Sequence, residues 1–189
     1  MHIILGSQSH GRQKILREMG VEFEVMASNI DEKTIRFNDP KQLTLALAHA
    51  KAEALLPNIS QNAILITSDQ VVVCHNQILE KPENEQEERI FLRMYKTHPA
   101  QTVTAVVVTN TATRVQRSGV DIATVYFQPI PEHIITQLIA EKNVFTQAGG
   151  FSIDDPLVKP YIERIEGSRS SIIGLPDVLT RQLMIDVQQ

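Results

Sequence analysis

The chain has 189 residues, 42% of them apolar and 21% charged, and 18 basic against 22 acidic side chains give a net charge of -4. This length and composition predict one soluble domain that buries roughly 70% of its unfolded surface. The net negative charge disfavours general electrostatic binding to a nucleic acid polymer. A single cysteine excludes an intrachain disulfide, and no apolar run approaches the ~20 residues of a membrane span. We therefore expect a cytoplasmic protein without a membrane segment.

Strand and helix patterns alternate along the first part of the chain. The segment "HIIL" predicts a short strand. Ser9 is then placed to cap a helix that stops at Gly20. The segment "VEFEV" alternates apolar and acidic residues, which is typical of a half-buried strand. Asp39-Pro40 begins the next helix, whose predicted apolar stripe comprises Leu43, Leu47, Ala50 and Ala54.

The remaining elements are longer and include several strands. In chain order the patterns predict a buried strand with a polar step in "AILITSDQVVVC", a helix in "NEQEERIFLRMY", long strands in "TVTAVVVTN" and "VDIATVYF", a helix in "PEHIITQLIAEK", a loop in "QAGGFSIDDP", a candidate strand in "SSIIG" and a closing helix from about Pro176. This order predicts a mixed α/β fold, in which the two adjacent long strands form an antiparallel part.

The first loop, "GSQSHGRQ", comes close to a phosphate-binding P-loop. A P-loop needs a compact Lys and a Ser or Thr for magnesium where this chain has Arg12 and Gln13, so its chemistry disfavours that motif. A helix N-terminus with Ser7, Ser9 and Arg12 as donors still suits an anion. The alternative is that Ser9 is an ordinary N-cap and Arg12 a solvated surface residue.

Several charged residues are candidates for a site. Asp69 interrupts an apolar strand, where a charge is costly unless compensated, so it could bind a divalent cation or activate water. Its alternative is an Asp at a strand end that is hydrogen-bonded to backbone. For Lys81, Glu32 and Lys51 the alternatives are an exposed surface lysine, a solvated charge run and the polar edge of an amphipathic helix, respectively.

A set of segments spread over nearly the whole chain carries a family resemblance. In order they are "ILGSQSHGRQKIL", "IDEK", "LALAHAKAEA", "SDQVVV", "EKP", "AGGF" and "GSRSSIIGLP". They resemble the Maf family of nucleoside triphosphate pyrophosphatases, and its plant and protist branch in particular. The resemblance implies one Maf-like α/β domain over residues 1–189. It has an extended mixed sheet flanked by helices and two lobes with a central cleft, as in the related inosine triphosphatases.

The resemblance also implies an activity and a set of site residues. A nucleoside triphosphate would be hydrolysed to its monophosphate and pyrophosphate with Mg²⁺ or Mn²⁺, in a housecleaning role or one linked to septum formation. Asp69 would accept the proton of the attacking water, and Glu32 would serve beside it as metal ligand or accessory acid. The phosphate-binding set would be Ser7, Ser9, Arg12, Lys51 and Lys81, with Lys81 also counted among the catalytic residues. Asp69 and Glu32 would hold the metal, and the protein would form a homodimer.

Three positions that the family links to base choice fall on Gly11, Gln70 and Asp154. The thymidine- and uridine-cleaving type has Arg, Thr and Gln there, whereas this chain resembles the branch acting on 7-methyl-GTP. A carboxylate facing a base favours donors such as the N1–H and amino group of guanine. The alternative for Gln70 and Asp154 is a polar lining. The glycines at 149–150 either let the loop pass beside a base or form a simple turn.

The first motif also departs from the family. Many members carry an Arg-Arg pair, whereas Gly11 and Gln13 flank Arg12 here. One cation of the phosphate grip is therefore missing, which predicts slower turnover. The alternative function is a non-catalytic nucleotide-binding regulatory protein.

Overall fold

The structure is a computed structural model, and it describes residues 2–189. Strands and helices follow in the order β1 (His2–Leu5), α1 (His10–Glu18), β2 (Glu24–Val25), α2 (Pro40–Leu55), β3 (Ala63–Cys74), β4 (Gln77–Leu79), α3 (Glu85–Met94), β5 (Ala100–Asn110), β6 (Gln116–Phe127), α4 (Glu132–Glu141), β7 (Ile162–Glu166), α5 (Arg169–Ile173) and α6 (Asp177–Asp186). Among these residues no helix is both long and apolar enough to cross a membrane.

The strands form one mixed sheet in the order β2-β1-β3-β5-β6-β7, with β4 paired to β3. β1 is parallel to both β2 and β3, whereas β3–β4 and β6–β7 are antiparallel. The predicted α/β class with a mixed sheet flanked by helices is therefore confirmed.

The chain divides into two compact units. The first comprises the described residues up to Gln70, together with Thr104–Asp121 and Ile173–Gln189, and the second comprises Val71–Val103 and Ile122–Ile172.

In the first unit, β3 separates two apolar layers because successive side chains of a strand point to opposite faces. Ile64 and Ile66 pack with residues of α1 and α6, including Leu16. Ala63 and Leu65 pack instead with residues of α2. The side chains of the polar residues that follow along β3 therefore face one layer and the other alternately.

Helix α2 begins as predicted, with the Asp39 side chain accepting from the backbone N–H groups of Lys41 and Gln42 and Pro40 in the first turn. Its buried face differs from the predicted stripe. Ala50 and Ala54 are only half-buried, and the fully buried residues are Leu43, Thr44, Leu47, Ala48, Lys51, Ala52 and Leu55. These recur at the helical spacing of three and four residues, which places Lys51 within the buried face rather than at its polar edge.

Two predicted strands differ from the structure. "VEFEV" pairs only at Glu24 and Val25, opposite Ile4 and Leu5 at the end of β1. "SSIIG" is not a strand but part of the short helix α5. There the Ser168 hydroxyl accepts from the backbone N–H of Ser171 at 3.1 Å, and Gly174, with φ of 105°, follows the last helical residue.

The second unit contains an aromatic cluster beside a buried acid. Tyr95, Phe127 and Phe151 have ring centroids 5.1–5.4 Å apart. Glu88 on α3 is fully buried, and neither carboxyl oxygen has a hydrogen-bond partner among residues 2–189. Its carboxyl lies against Gly150, where an added Cβ would be only 1.8 Å from Glu88 Oε2. Burial raises the pKa of Glu88 from 4.5 to about 8, and repulsion from Glu87 adds to the shift.

We expect Glu88→Gln to stabilise the protein increasingly as pH rises. The unfolded carboxyl ionises near pH 4.5, whereas the folded one stays protonated to about pH 8. Folded stability is therefore lost across that window, at about 1.4 kcal/mol per pKa unit. Thermal unfolding should show the gain of the variant over wild type growing from pH 4.5 to pH 8 and staying level above it. The matched control is Glu85→Gln at an exposed position one turn earlier. A difference that does not change with pH would contradict this assignment.

Candidate active site

Three charged side chains meet in the first unit. Lys51 Nζ donates to Asp69 Oδ1 at 2.5 Å and lies 2.8 Å from Glu32 Oε1. Lys51 and Asp69 are both buried, each 6% exposed, whereas nearly half of the Glu32 side chain is exposed. Burying one charge alone costs several kcal/mol, so the ammonium and the Asp69 carboxylate stabilise each other.

Local structure explains why these three residues converge. Asp69 follows Leu65 and Thr67 along β3, on the side that faces α2, where the Thr67 hydroxyl donates to the carbonyl of Ala48 at 2.7 Å. Lys51 follows Ala48 by three residues and so lies about one turn further along α2. Glu32 begins a single 3₁₀ turn, Glu32–Thr34, that is capped by Asp31. The alternatives of a backbone-bound Asp69 at a strand end and of Lys51 on a polar edge are therefore wrong.

The electrostatics of Asp69 combine opposing effects. Burial raises its pKa, while the positive charges of Lys51 and Arg12 and the hydrogen bond from Lys51 work against that rise. Glu32 adds a smaller repulsion in the same direction as burial. An Asp with a raised pKa is a stronger base than an exposed one, which suits it to accept a proton.

Arg12 lies in the first turn of α1, and its guanidinium donates to backbone carbonyls. Its Nη1 donates to the carbonyl of Ser68 at 2.7 Å and to Ser7 Oγ at 3.3 Å, and its Nε donates to the carbonyl of Gly174 at 3.0 Å. Burial lowers the pKa of Arg12, with Asp69 and Glu32 opposing the shift, and the guanidinium stays charged. Arg12 is therefore not a solvated surface residue.

The rest of the first loop has local roles that the sequence left open. Ser9 Oγ accepts from the backbone N–H of Arg12 at 3.4 Å, as an N-cap does, and Ser7 Oγ accepts from the N–H of Ser9 at 3.2 Å. Gln13 Nε2 donates to the carbonyl of Gln8 at 3.2 Å, which closes the loop. The loop thus leads from the end of β1 to the N-terminus of α1, an arrangement suited to an anion.

Two of the positions linked to base choice also lie in the first unit. Gln70 Nε2 donates to Thr104 Oγ1 at 2.7 Å. Gly11 has no side chain to offer a ligand, and an added Cβ would lie 2.8 Å from Ile173 Cγ2. A larger residue at position 11 would therefore have to displace Ile173.

The other two predicted residues belong to the second unit. Lys81 is exposed on the segment that follows β4, and its catalytic role stays a prediction. Asp154 is bound at both carboxylate oxygens by Arg169, whose Nε lies 3.1 Å from Oδ1 and whose Nη2 lies 2.5 Å from Oδ2. Sequence reasoning missed Arg169, although it lies within the quoted "GSRSSIIGLP". Any role of Asp154 toward a base has to include this guanidinium.

A metal ion would draw on Glu32 and Asp69. Within the described residues no group of three or more His, Cys, Asp or Glu side chains is placed to hold a metal. Mg²⁺ is commonly bound by one or two carboxylates, with substrate phosphates and water completing its shell, so this pair fits such an ion. Because Lys51 Nζ contacts both carboxylates, a metal bound by both has to share them with the ammonium.

Comparison with known proteins identifies the family of this chain. Residues 2–187 match the family model described as Maf-like protein. The 7-methyl-GTP pyrophosphatase of Dictyostelium discoideum is 42% identical over 194 residues, covering 99% of this chain and 98% of the relative. The dTTP/UTP pyrophosphatase of Vibrio vulnificus strain YJ016 is 32% identical, with 97% and 98% covered.

A structural likeness is also present. The dITP/XTP pyrophosphatase of Mycobacterium abscessus aligns with a TM-score of 0.46 at 10% identity, over 100% of this chain and 96% of that one. This likeness carries no functional weight. Because its relatives are named as nucleotide pyrophosphatases, the chain is of the hydrolase class. By its match over residues 2–187, the chain belongs to the Maf family.

We expect Lys51→Met to destabilise the protein by about 3 kcal/mol at pH 7, because it leaves the buried Asp69 carboxylate unpaired. The cost should shrink as pH falls and Asp69 becomes protonated, and the added change Asp69→Asn should recover part of it. Denaturant unfolding of the two single variants and the double variant measures this coupling. Lys41→Met, at an exposed position in the first turn of α2, is the matched control. Additive costs for the two changes would contradict the pairing.

Proposed function

We propose that this chain hydrolyses nucleoside triphosphates between the α and β phosphates, releasing a nucleoside monophosphate and pyrophosphate. The observation that carries the proposal is the buried Lys51–Asp69 pair, with Glu32 beside it and the charge of Arg12 within electrostatic reach. Family membership and relatives named as pyrophosphatases support the same reaction.

Asp69 acts as the proton acceptor in this proposal. As water attacks a phosphorus atom of the anhydride, a new P–O bond forms to the water oxygen. The P–O bond between that phosphorus and the bridging oxygen breaks, and the bridging oxygen leaves with the other product. The proton of the water passes to the Asp69 carboxylate. Lys51 keeps that carboxylate ionised in a buried position, while burial raises its pKa and so strengthens it as a base.

Positive charge for the phosphate chain comes from several sources. Arg12, Lys51 and the backbone N–H groups at the start of α1 are the donors of the first unit, and Lys81 is a further candidate. Glu32 and Asp69 would hold a Mg²⁺ or Mn²⁺ ion. When bound, this ion supplies positive charge to the phosphate oxygens. One donor alone supplies only ~3 to 4 kcal/mol, so the groups have to act together.

For the base we propose a purine, with 7-methyl-GTP among the substrates. Gly11, Gln70 and Asp154 differ from the residues of the thymidine- and uridine-cleaving type, and the relative from Dictyostelium discoideum is named a 7-methyl-GTP pyrophosphatase. Arg169 adds guanidinium donors beside Asp154, and guanidinium groups commonly donate to acceptors such as O6 of guanine. Cytoplasmic location, homodimer formation and a link to septum formation stay predictions of the resemblance.

We expect Asp69→Asn to lower pyrophosphate release at least about 100-fold, because it removes the general base. The assay measures pyrophosphate and monophosphate from 7-methyl-GTP, GTP, dTTP and UTP, with Mg²⁺ or Mn²⁺ and with a chelator. Glu53→Gln, which removes one exposed negative charge from α2, is the matched control and should retain activity. Undiminished release by Asp69→Asn, or release of single phosphate, would contradict the proposal.

The same panel decides the alternative function. Gly11 and Gln13, which flank Arg12 in place of the family's Arg-Arg pair, are the observation that favours a nucleotide-binding regulatory protein. Tight binding of a triphosphate by the wild-type chain, without any pyrophosphate, would select it.

A further inference from the structure

The carbonyl of Gly174 is the centre of a small buried hydrogen-bond ring. It accepts from Arg12 Nε at 3.0 Å and from Ser68 Oγ at 2.9 Å. A carbonyl oxygen has two lone pairs, and these two donors use both. Gly174 lies 162 residues from Arg12 along the chain, so the ring connects the segment after α5 to the first turn of α1.

Ser68 closes the ring from the other side. Its hydroxyl donates to Gly174, and its own carbonyl accepts from Arg12 Nη1 at 2.7 Å. Ser68 is fully buried and directly precedes Asp69 on β3. Hydrogen bonds in such a water-poor position are electrostatically stronger than exposed ones and define one geometry.

The ring determines which part of Arg12 can serve a ligand. Nε and Nη1 carry three of the five N–H groups of a guanidinium, and in the described chain these donate to Gly174, Ser68 and Ser7. The Nη2 amino group takes no part in these contacts. A planar guanidinium held at both Nε and Nη1 points its remaining amino group in a fixed direction.

Gly174 also has a geometric reason to be glycine. Its φ of 105° is strained for any residue with a side chain, and an added Cβ would lie 3.3 Å from Gln70 Oε1 and 3.4 Å from Arg12 Nε. A side chain at this position would therefore crowd Gln70 and strain the turn that carries the Gly174 carbonyl.

We propose that Ser68 and Gly174 are positioning residues that fix the Arg12 guanidinium, so that Nη2 is the group that donates to the phosphate chain of the substrate. This inference rests on the proposed function and deepens it. The benefit is entropic as well as electrostatic, because a long side chain that is already immobilised loses less freedom when a ligand binds.

The test measures phosphate binding and turnover separately. Ser68→Ala should weaken binding of inorganic tripolyphosphate, measured by calorimetry, about three- to tenfold, the size expected for one lost hydrogen bond. The KM for 7-methyl-GTP should rise by a similar factor while kcat changes less. The matched control, Thr102→Val, removes another buried hydroxyl that donates to a backbone carbonyl, that of Ala123, and should leave both constants unchanged. An unchanged dissociation constant for Ser68→Ala would overturn the proposal.

A double-mutant cycle shows whether Ser68 acts through Arg12. In an Arg12→Met background, Ser68→Ala should weaken tripolyphosphate binding no further, whereas additive losses would overturn the ring as the link. Gly174→Ala, in folded protein verified by thermal unfolding, should weaken binding at least as much as Ser68→Ala, and wild-type affinity would count against the proposal. If wild type binds tripolyphosphate but yields no pyrophosphate from any nucleotide, the proposed function fails, and the cycle still decides the positioning role.

Discussion

The buried ammonium of Lys51 is the constraint on which the rest of the site depends. Helix α2 presents an otherwise mostly apolar face to the sheet, with Leu47, Ala48 and Leu55 fully buried. A lysine in that face is tolerated only with a carboxylate within hydrogen-bond distance, and Asp69 provides it at 2.5 Å. The register of α2 against β3 is thereby coupled to the chemistry. A small rotation of the helix would break the pair as well as the packing.

The alternation of side chains along β3 brings two sets of polar groups to one short segment. Asp69 points toward α2, whereas Ser68 and Gln70 belong to the layer that contains α1. β1 pairs with β3 only as far as Leu5 opposite Ile66, and Asp69 is the third residue of β3 beyond that pair. Arg12 can therefore contact the backbone of β3 at Ser68 from the α1 side and still influence the Asp69 carboxylate. Ligands of open α/β sheets bind at this kind of position, beyond the carboxyl ends of the strands.

Features with a local cause could be predicted from the sequence. Ser9 as an N-cap, the start of α2 at Asp39-Pro40 and the importance of an acid inside an apolar strand all follow from neighbouring residues. The helical structure of "SSIIG" was not predicted because the hydroxyl that caps this helix belongs to Ser168, just outside the segment. The alternative of a polar edge for Lys51 rested on the usual position of a charged residue in an amphipathic helix, and only its partners explain its burial.

Contacts between distant segments could not be predicted in the same way. The residue pattern does not indicate that the carbonyl of Gly174 is a buried acceptor, nor that its donor is a guanidinium 162 positions earlier. Arg169 and Asp154 are both polar residues of loop-like segments, so their pairing became visible only in three dimensions. The sequence does not distinguish Glu88 from other acidic residues of a helix, yet its carboxyl is fully buried against Gly150. Such features depend on the tertiary fold rather than on local preference.

The central claim is that the triphosphate binds where Lys51, Asp69 and Arg12 converge. A crystal structure with a nucleotide analogue whose α–β bridge cannot be hydrolysed, soaked with Mn²⁺ and recorded at the manganese absorption edge, tests it most directly. We expect the α and β phosphates to lie beside the Asp69 carboxylate, with a phosphate oxygen accepting from Arg12 and an anomalous peak at Glu32 or Asp69. A triphosphate that contacts neither Asp69 nor Arg12 would contradict it.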